Sequence, residues 1–169
     1  ATRPDGRAPQ KITNDAAVAL EALIAAMEND FGTDAPPITV TSGYRSYNYQ
    51  KYLFDTAVQS YEEKGYSRAK AEALAARYTA RPGESEHQSG LCVDIHDRPC
   101  ATVDFENSPY FEWLCENAHR FGYILRYPKG KENITKIAFE PWHWRYVGCE
   151  TAKKIKKSGL CLEEYLKKY

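Results

Sequence analysis

The chain has 169 residues, enough for one domain with its own core, and it is 43% hydrophobic and 27% charged, which excludes a disordered chain. Lys and Arg number 23 against 23 Asp and Glu, and a nucleic-acid binder ordinarily carries a basic excess, so that class is disfavoured. No apolar run is long enough to span a membrane.

Residues 1–11 are polar, hold two prolines and read as an extended arm. Asn14 is a good cap for a helix predicted over 14–30, whose apolar residues recur at helical spacing and stop before Gly32. Ile38 to Thr41 are β-branched and predict a short strand, ended by Ser42-Gly43. "SYNYQKYLFDTAVQSYEEKG" predicts a second helix closed by Gly65, and "SRAKAEALAARYTA" a third, capped by Ser67. Pro82 and Gly83 break the pattern, so "RPGESEHQSG" is expected to be a loop. "LCVDIHD" predicts a strand. "SPYFEWLCENAHRFG" carries a full set of helix signals, with Ser108 as cap, Pro109 in the first turn and Gly122 as terminator. "YILRY" predicts a strand, "PKGKENITK" a polar turn, and "IAFEPWHWRYV" a strand pair or one bent strand. The Lys-rich tail from Glu150 to Tyr169 reads as helical. Helices first, then short strands with one more helix among them, argue an α+β domain with a small antiparallel sheet, spanning 1–169 as a single unit.

Five cysteines, Cys92, Cys100, Cys115, Cys149 and Cys161, contain no C-x-x-C pair, so a thiolate zinc site is disfavoured and buried inert thiols are expected. His119 sits late in its helix, where a cation suits the dipole.

The chemistry concentrates in "SEHQSGLCVDIHD", residues 85–97. In a straight strand His87 and Asp94 would stand about 23 Å apart at roughly 3.3 Å per residue. They share an ion only if Gln88-Ser89-Gly90 bends the chain, and Gly90 permits such a bend. Along "FEPWHWRYV" the alternation places Trp142, Trp144 and Tyr146 on one face, and His143, Arg145 and Val147 on the other. Glu140 lies three before His143 and would point away from it in an ideal strand. Pro141 predicts a bulge or a strand start that brings Glu140 round. Two histidines and one aspartate form a plausible zinc set with a fourth position open for water, and Glu140 is then placed to take a proton from that water. Spacing alone favours packed or solvated histidines over a metal site.

The pair "SEHQSGLCVDI" and "EPWHWRYVG" resembles the signature of the VanY-type zinc D-alanyl-D-alanine carboxypeptidases. That family belongs to the LAS group, which also includes lysostaphin-type enzymes and hedgehog signalling domains. The pattern S-x-H-x-x-G-x-A-x-D with E-x-W-H-x-R-Y is met at Ser85, His87, Gly90, Asp94, Glu140, Trp142, His143, Arg145 and Tyr146. Cys92 departs from it, standing where alanine is usual. "SGYRSYNYQKYLF" resembles the segment ahead of the first ligand, so the likeness runs from about Thr39 to Gly148.

The resemblance implies that His87, Asp94 and His143 bind one zinc ion, that Glu140 is the catalytic base, and that Arg45 binds the terminal carboxylate of the substrate. Arginine's planar fork suits that last task, although the residues alone favour an ordinary surface arginine beside a helix cap. Ser85 and Gln50 are candidates for hydrogen bonds to substrate, Trp142 for a wall of the cleft, and His96 for a residue outside the ligand set, behind it or solvated. The implied activity is removal of the C-terminal D-alanine from peptidoglycan stem peptides. An L,D-carboxypeptidase or a stem-peptide endopeptidase on the same scaffold is the alternative, and a zinc-bearing binding module without catalysis is a further one. Arg45 favours an exopeptidase and Glu140 favours catalysis. A monomer is expected. So is a secreted or membrane-anchored location facing the bacterial cell wall, given the implied substrate and a first residue that is not Met.

Overall fold

The computed structural model describes residues 9–32 and 37–169. Most of the expected arm, residues 1–8, lies outside them. The elements in chain order are α1 (Asn14–Phe31), β1 (Thr39–Ser42), α2 (Tyr47–Glu62), α3 (Arg68–Ala75), β2 (Cys92–His96), α4 (Pro109–Asn117), β3 (Tyr123–Leu125), α5 (Glu132–Thr135), β4 (His143–Tyr146), α6 (Cys149–Ser158) and α7 (Leu162–Lys168). Short 3-10 turns occupy Glu86–Ser89, Val103–Asn107 and Ala118–Phe121. The strands form one antiparallel sheet in the order β1-β2-β4-β3. The fold is the α+β arrangement expected from the element order.

One face of the sheet is the core. Ala16, Leu20, Leu23 and Met27 recur every three to four residues along α1 and are all buried. They meet Val93 and Ile95 of β2, Trp144 of β4, Tyr123 of β3, and Tyr110, Trp113 and Leu114 of α4. Each full burial of a large apolar side chain contributes on the order of 1.5–3 kcal/mol. The Tyr123 hydroxyl donates to the Ala16 carbonyl at 2.7 Å, which satisfies its one polar atom inside that core.

The opposite face carries Cys92, Asp94 and His96 on β2 and His143 and Arg145 on β4. Register puts Asp94 directly across from His143, with Ser42 of β1 on its other side. At the β3 edge, α6 and α7 cover Ile124 with Ala152, Ile155, Leu162 and Tyr165. Helices α2 and α3 pack on each other through Phe54, Val58, Ala71 and Ala75.

Several local expectations change. Thr13, not Asn14, holds the cap position of α1, and its side chain makes no capping bond. Ser46 does cap α2, accepting from the Tyr49 amide. The third helix stops at Ala75 rather than running to residue 80. The expected loop before β2 contains a 3-10 turn, and the expected polar turn after β3 contains the single turn α5. Only His143–Tyr146 of the 137–147 segment is strand. The tail is two helices, because Gly159 takes φ 67° between them. The cysteines are free, and Cys92 and Cys161 are buried as expected, but Cys100 and Cys149 are exposed.

Candidate metal centre

His87 reaches Asp94 because the chain turns twice between them. The 3-10 turn Glu86–Ser89 reverses direction, and Gly90 completes the reversal at φ 68°, a left-handed conformation that favours glycine. His87 Nε2 then stands 3.4 Å from Asp94 Oδ1. Its other ring nitrogen, Nδ1, lies 2.7 Å from the Gly43 carbonyl, so it carries the proton and leaves Nε2 with a lone pair. Gly43 itself is required by space, since a Cβ there would come within 2.6 Å of the Lys11 carbonyl oxygen.

His143 arrives from β4. Its Nδ1 is 3.3 Å from the same Asp94 Oδ1 and 3.5 Å from Glu140 Oε2. A backbone turn, His143 N–H to Glu140 C=O at 3.2 Å, brings Glu140 round, with buried Pro141 inside it. β4 begins only at His143, so Pro141 lies in a turn ahead of the strand rather than at a bulge or strand start, and that turn positions Glu140.

The donor atoms of His87, Asp94 and His143 all lie within 4.8 Å of one another, and all three residues are buried. Asp94 Oδ1 makes no hydrogen bond among the described residues. A buried carboxylate oxygen without a donor is costly unless a cation faces it. Arg45 Nη2 donates to the other oxygen, Oδ2, at 2.7 Å, so Oδ1 is the one left for an ion. Burial would push the Asp94 carboxyl up, but the two imidazoles facing it win and hold it far below the usual carboxylate range. Burial pushes His143 down, toward the neutral ligand form. Two imidazole nitrogens, one carboxylate oxygen and an open side toward a cleft fit a small divalent cation with tetrahedral preference.

A second trio, Glu86, Cys92 and His143, is equally close. It does not fit a cation. Glu86 is paired with Arg126 at 2.9 Å and Arg145 at 3.3 Å, and burial with the Glu86 charge pushes the Cys92 thiol well up, away from thiolate.

Glu140 is buried beside the ligands. Burial first, and then the Asp94 charge, push its carboxyl well above the ordinary range, with Arg45 opposing. Arg45 is only partly free. Its Nε donates to Ser42 Oγ at 2.8 Å, and Nη1 faces Gln50 Oε1 at 3.5 Å. Gln50 is fully buried, and its amide donates to the Ala80 carbonyl at 2.7 Å, so it braces Arg45. Ser85 is buried and, like Arg45, Gln50, Glu140 and Trp142, lines the cleft of about 80 Å³ around the ligands.

His96 is not solvated. It is fully buried, accepts from the Arg98 amide at 3.3 Å through Nδ1, and lies 3.1 Å from Thr41 Oγ1 through Nε2, outside the ligand cluster. His119 is not a favoured cation. Partial burial and then Lys156 and Arg120 beside it push its pKa down. Two lining residues went unmarked in the sequence. Tyr127 packs its ring 4.8 Å from the His143 ring; the strand expected over 123–127 stops at Leu125, so Tyr127 lies two residues past its end. Glu86 binds Arg126 behind the site, and its place next to the first ligand was the available signal.

A family model described as VanY, D-alanyl-D-alanine carboxypeptidase, matches residues 9–149. The chain belongs to the VanY family. It is 49% identical over 127 residues to a D-alanyl-D-alanine carboxypeptidase of Enterococcus faecalis, covering 75% of this chain and 46% of that protein. The chain spans about half the length of the curated relatives it matches. Among solved structures it is similar to a vancomycin-resistance D,D-pentapeptidase VanY mutant in complex with Zn(II), with 42% identity, a TM-score of 0.81, and coverage of 96% of this chain and 86% of that one. It is also similar to the LdcB LD-carboxypeptidase, with 40% identity, a TM-score of 0.81, and coverage of 95% and 72%. The chain is thus similar both to a structure described with D,D and to one described with L,D specificity.

Proposed function

We propose that this chain is a zinc carboxypeptidase that removes the C-terminal D-alanine from peptidoglycan stem peptides. The observation that carries the reading is the convergence of His87 Nε2, Asp94 Oδ1 and His143 Nδ1 beside the buried carboxyl of Glu140. Family membership supports the substrate class, and the zinc-bound relative supports the ion.

When bound, zinc supplies a Lewis acid that polarises the scissile carbonyl and acidifies the attacking water. His87 and His143 give neutral nitrogens to it, and Asp94 gives one oxygen while Arg45 holds the other. Glu140 takes the proton from the water as its oxygen bonds to the scissile carbon. It returns a proton to the departing nitrogen as the C–N bond breaks, so D-alanine leaves as a neutral amine. Burial and the Asp94 charge raise its proton affinity above that of an ordinary carboxyl, the direction that suits a general base. Arg45 lines the cleft, where its guanidinium can give a terminal carboxylate a charge-assisted hydrogen bond. The enzyme works facing the cell wall, where such peptides are exposed, and as a monomer, since one chain holds every residue assigned a role.

The test is a matched pair of peptides, one with a free C-terminus and one amidated. The wild-type protein is expected to cleave the free acid at least tenfold faster, and Arg45→Ala to lose most of that preference, since a charge-assisted contact is worth roughly 1.5–3 kcal/mol. Zinc content is measured alongside, because Arg45 also anchors Asp94. Equal cleavage of acid and amide by wild type would turn the reading toward an endopeptidase.

A further inference from the structure

A cavity of about 280 Å³ lies at the β3 edge of the sheet, between α4 with the 3-10 turn that follows it, β3 and α6. It shares no lining residue with the cleft around the metal ligands. Leu114, Tyr123, Ile124, Trp144 and Ile155 form its buried wall, and exposed Lys156 and Gly159 stand at its rim. The volume is close to the lower end of small-molecule sites, about 300 Å³. At about 30 Å³ per water-sized group it takes roughly nine non-hydrogen atoms.

The lining holds one charge. No aspartate or glutamate lines the cavity among the described residues. Burial pushes the Cys115 thiol up to about 11, and partial burial with Lys156 and Arg120 pushes His119 down, so both are neutral near pH 7. The Tyr123 hydroxyl gives its proton to the Ala16 carbonyl. The Lys156 ammonium remains. It donates to the Cys115 carbonyl at 2.7 Å, which leaves two protons for another acceptor.

His119 adds an independent observation. Its Nδ1 is buried and makes no hydrogen bond among the described residues, although the Glu116 carbonyl is near the ring. A buried polar atom without a partner is costly and calls for one. The tautomer with its proton on Nδ1 has that proton to donate. His119 and Lys156 are neighbours, since the Lys156 charge is one cause of the lowered His119 pKa. Two neighbouring donors with a single positive charge, set among apolar walls, suit one singly charged acid group. A second negative charge would be buried unpaired, which is costly.

We propose that this cavity binds a small monocarboxylate with an apolar body, its carboxylate held by Lys156 and His119 and its body packed against Tyr123, Trp144 and Ile155. The site is separate from the catalytic cleft and stands or falls without the carboxypeptidase reading. Its test is a titration of the zinc-loaded, ¹⁵N-labelled protein, read by two-dimensional NMR. The probes are phenylacetate, its uncharged analogue phenylacetamide, and acetate, which lacks the apolar body.

Phenylacetate is expected to give saturable shifts in the amides of residues 114–125 and 155–160. The indole N–H of Trp144, fixed by its bond to the Pro141 carbonyl at 3.0 Å, is expected to shift with them. Phenylacetate should bind at least tenfold tighter than phenylacetamide, and acetate should leave those signals unmoved. Lys156 is exposed, so Lys156→Gln keeps the fold and is expected to lose the preference for the acid. Saturable shifts confined to residues around Arg45 and His87 would put the acid in the cleft and overturn the site. So would no saturable shift, equal affinity for acid and amide, acetate binding as tightly as phenylacetate, or a preference that survives in Lys156→Gln.

Discussion

Asp94 shows how far single residues are committed at this site. Each of its oxygens has one task, Oδ2 for Arg45 and Oδ1 for the two imidazoles and the ion they fit. Glu140 is separated from that pair of tasks by its environment, because burial and the Asp94 charge favour its protonated form while Asp94 stays ionised. Two carboxyls with opposed proton affinities suit a ligand and a base respectively. Glu140→Gln keeps the volume and removes the basicity. It is expected to lower kcat by roughly 10²–10⁴-fold while elemental analysis still finds one zinc per chain. A variant with near wild-type turnover would take Glu140 out of the mechanism.

At the scale of elements, the two ligand segments were legible because each has a strong local signal. Gly90 marks the reversal that folds His87 onto Asp94, and the W-H-W alternation assigns Trp144 to the core and His143 to the site. Arg45 was legible as a residue but not as a bonded one, since its contact to Asp94 crosses 49 positions of sequence. The Glu86–Arg126–Glu163 cluster was not legible at all. It joins the turn before β2, the end of β3 and α7, and no periodicity relates such positions. It ties α7 to the back of the site, and its energetics are testable. Burial alone would push Glu86 and Glu163 up, but the arginines beside them prevail and hold both below the ordinary range. Lowered carboxyls add stability that is full above their unfolded values near ~4.3 and is lost as pH falls through their folded values. Arg126→Gln leaves Glu86 with Arg145 as its remaining cation and Glu163 without one, and is expected to cost about 1–3 kcal/mol at pH 7. In thermal melts the deficit should shrink as pH falls below ~4 and through the lowered folded values of Glu86 and Glu163. A deficit independent of pH would mean that Arg126 acts by packing alone.

For the whole molecule, the sheet is a partition. Its α1–α4 face is a dry core, and its other face gathers buried polar groups that need an ion to balance Asp94 Oδ1. An ion that binds only the folded state stabilises it by mass action, about 2.7 kcal/mol at a hundredfold excess over Kd. Chelation is therefore expected to lower Tm by roughly 5–10 °C, reversibly on adding zinc. An unchanged Tm would show that the ligand cluster holds no ion. The same face also fixes what reacts, because the ligands, Glu140 and Arg45 share one small cleft. The central claim is best tested by incubating the zinc-loaded protein with a synthetic stem pentapeptide ending in D-Ala-D-Ala and identifying the products by mass spectrometry. The account predicts a tetrapeptide and free D-alanine, formed by wild type and not by Glu140→Gln. An intact pentapeptide, or cleavage at an internal bond instead of the last one, would contradict it.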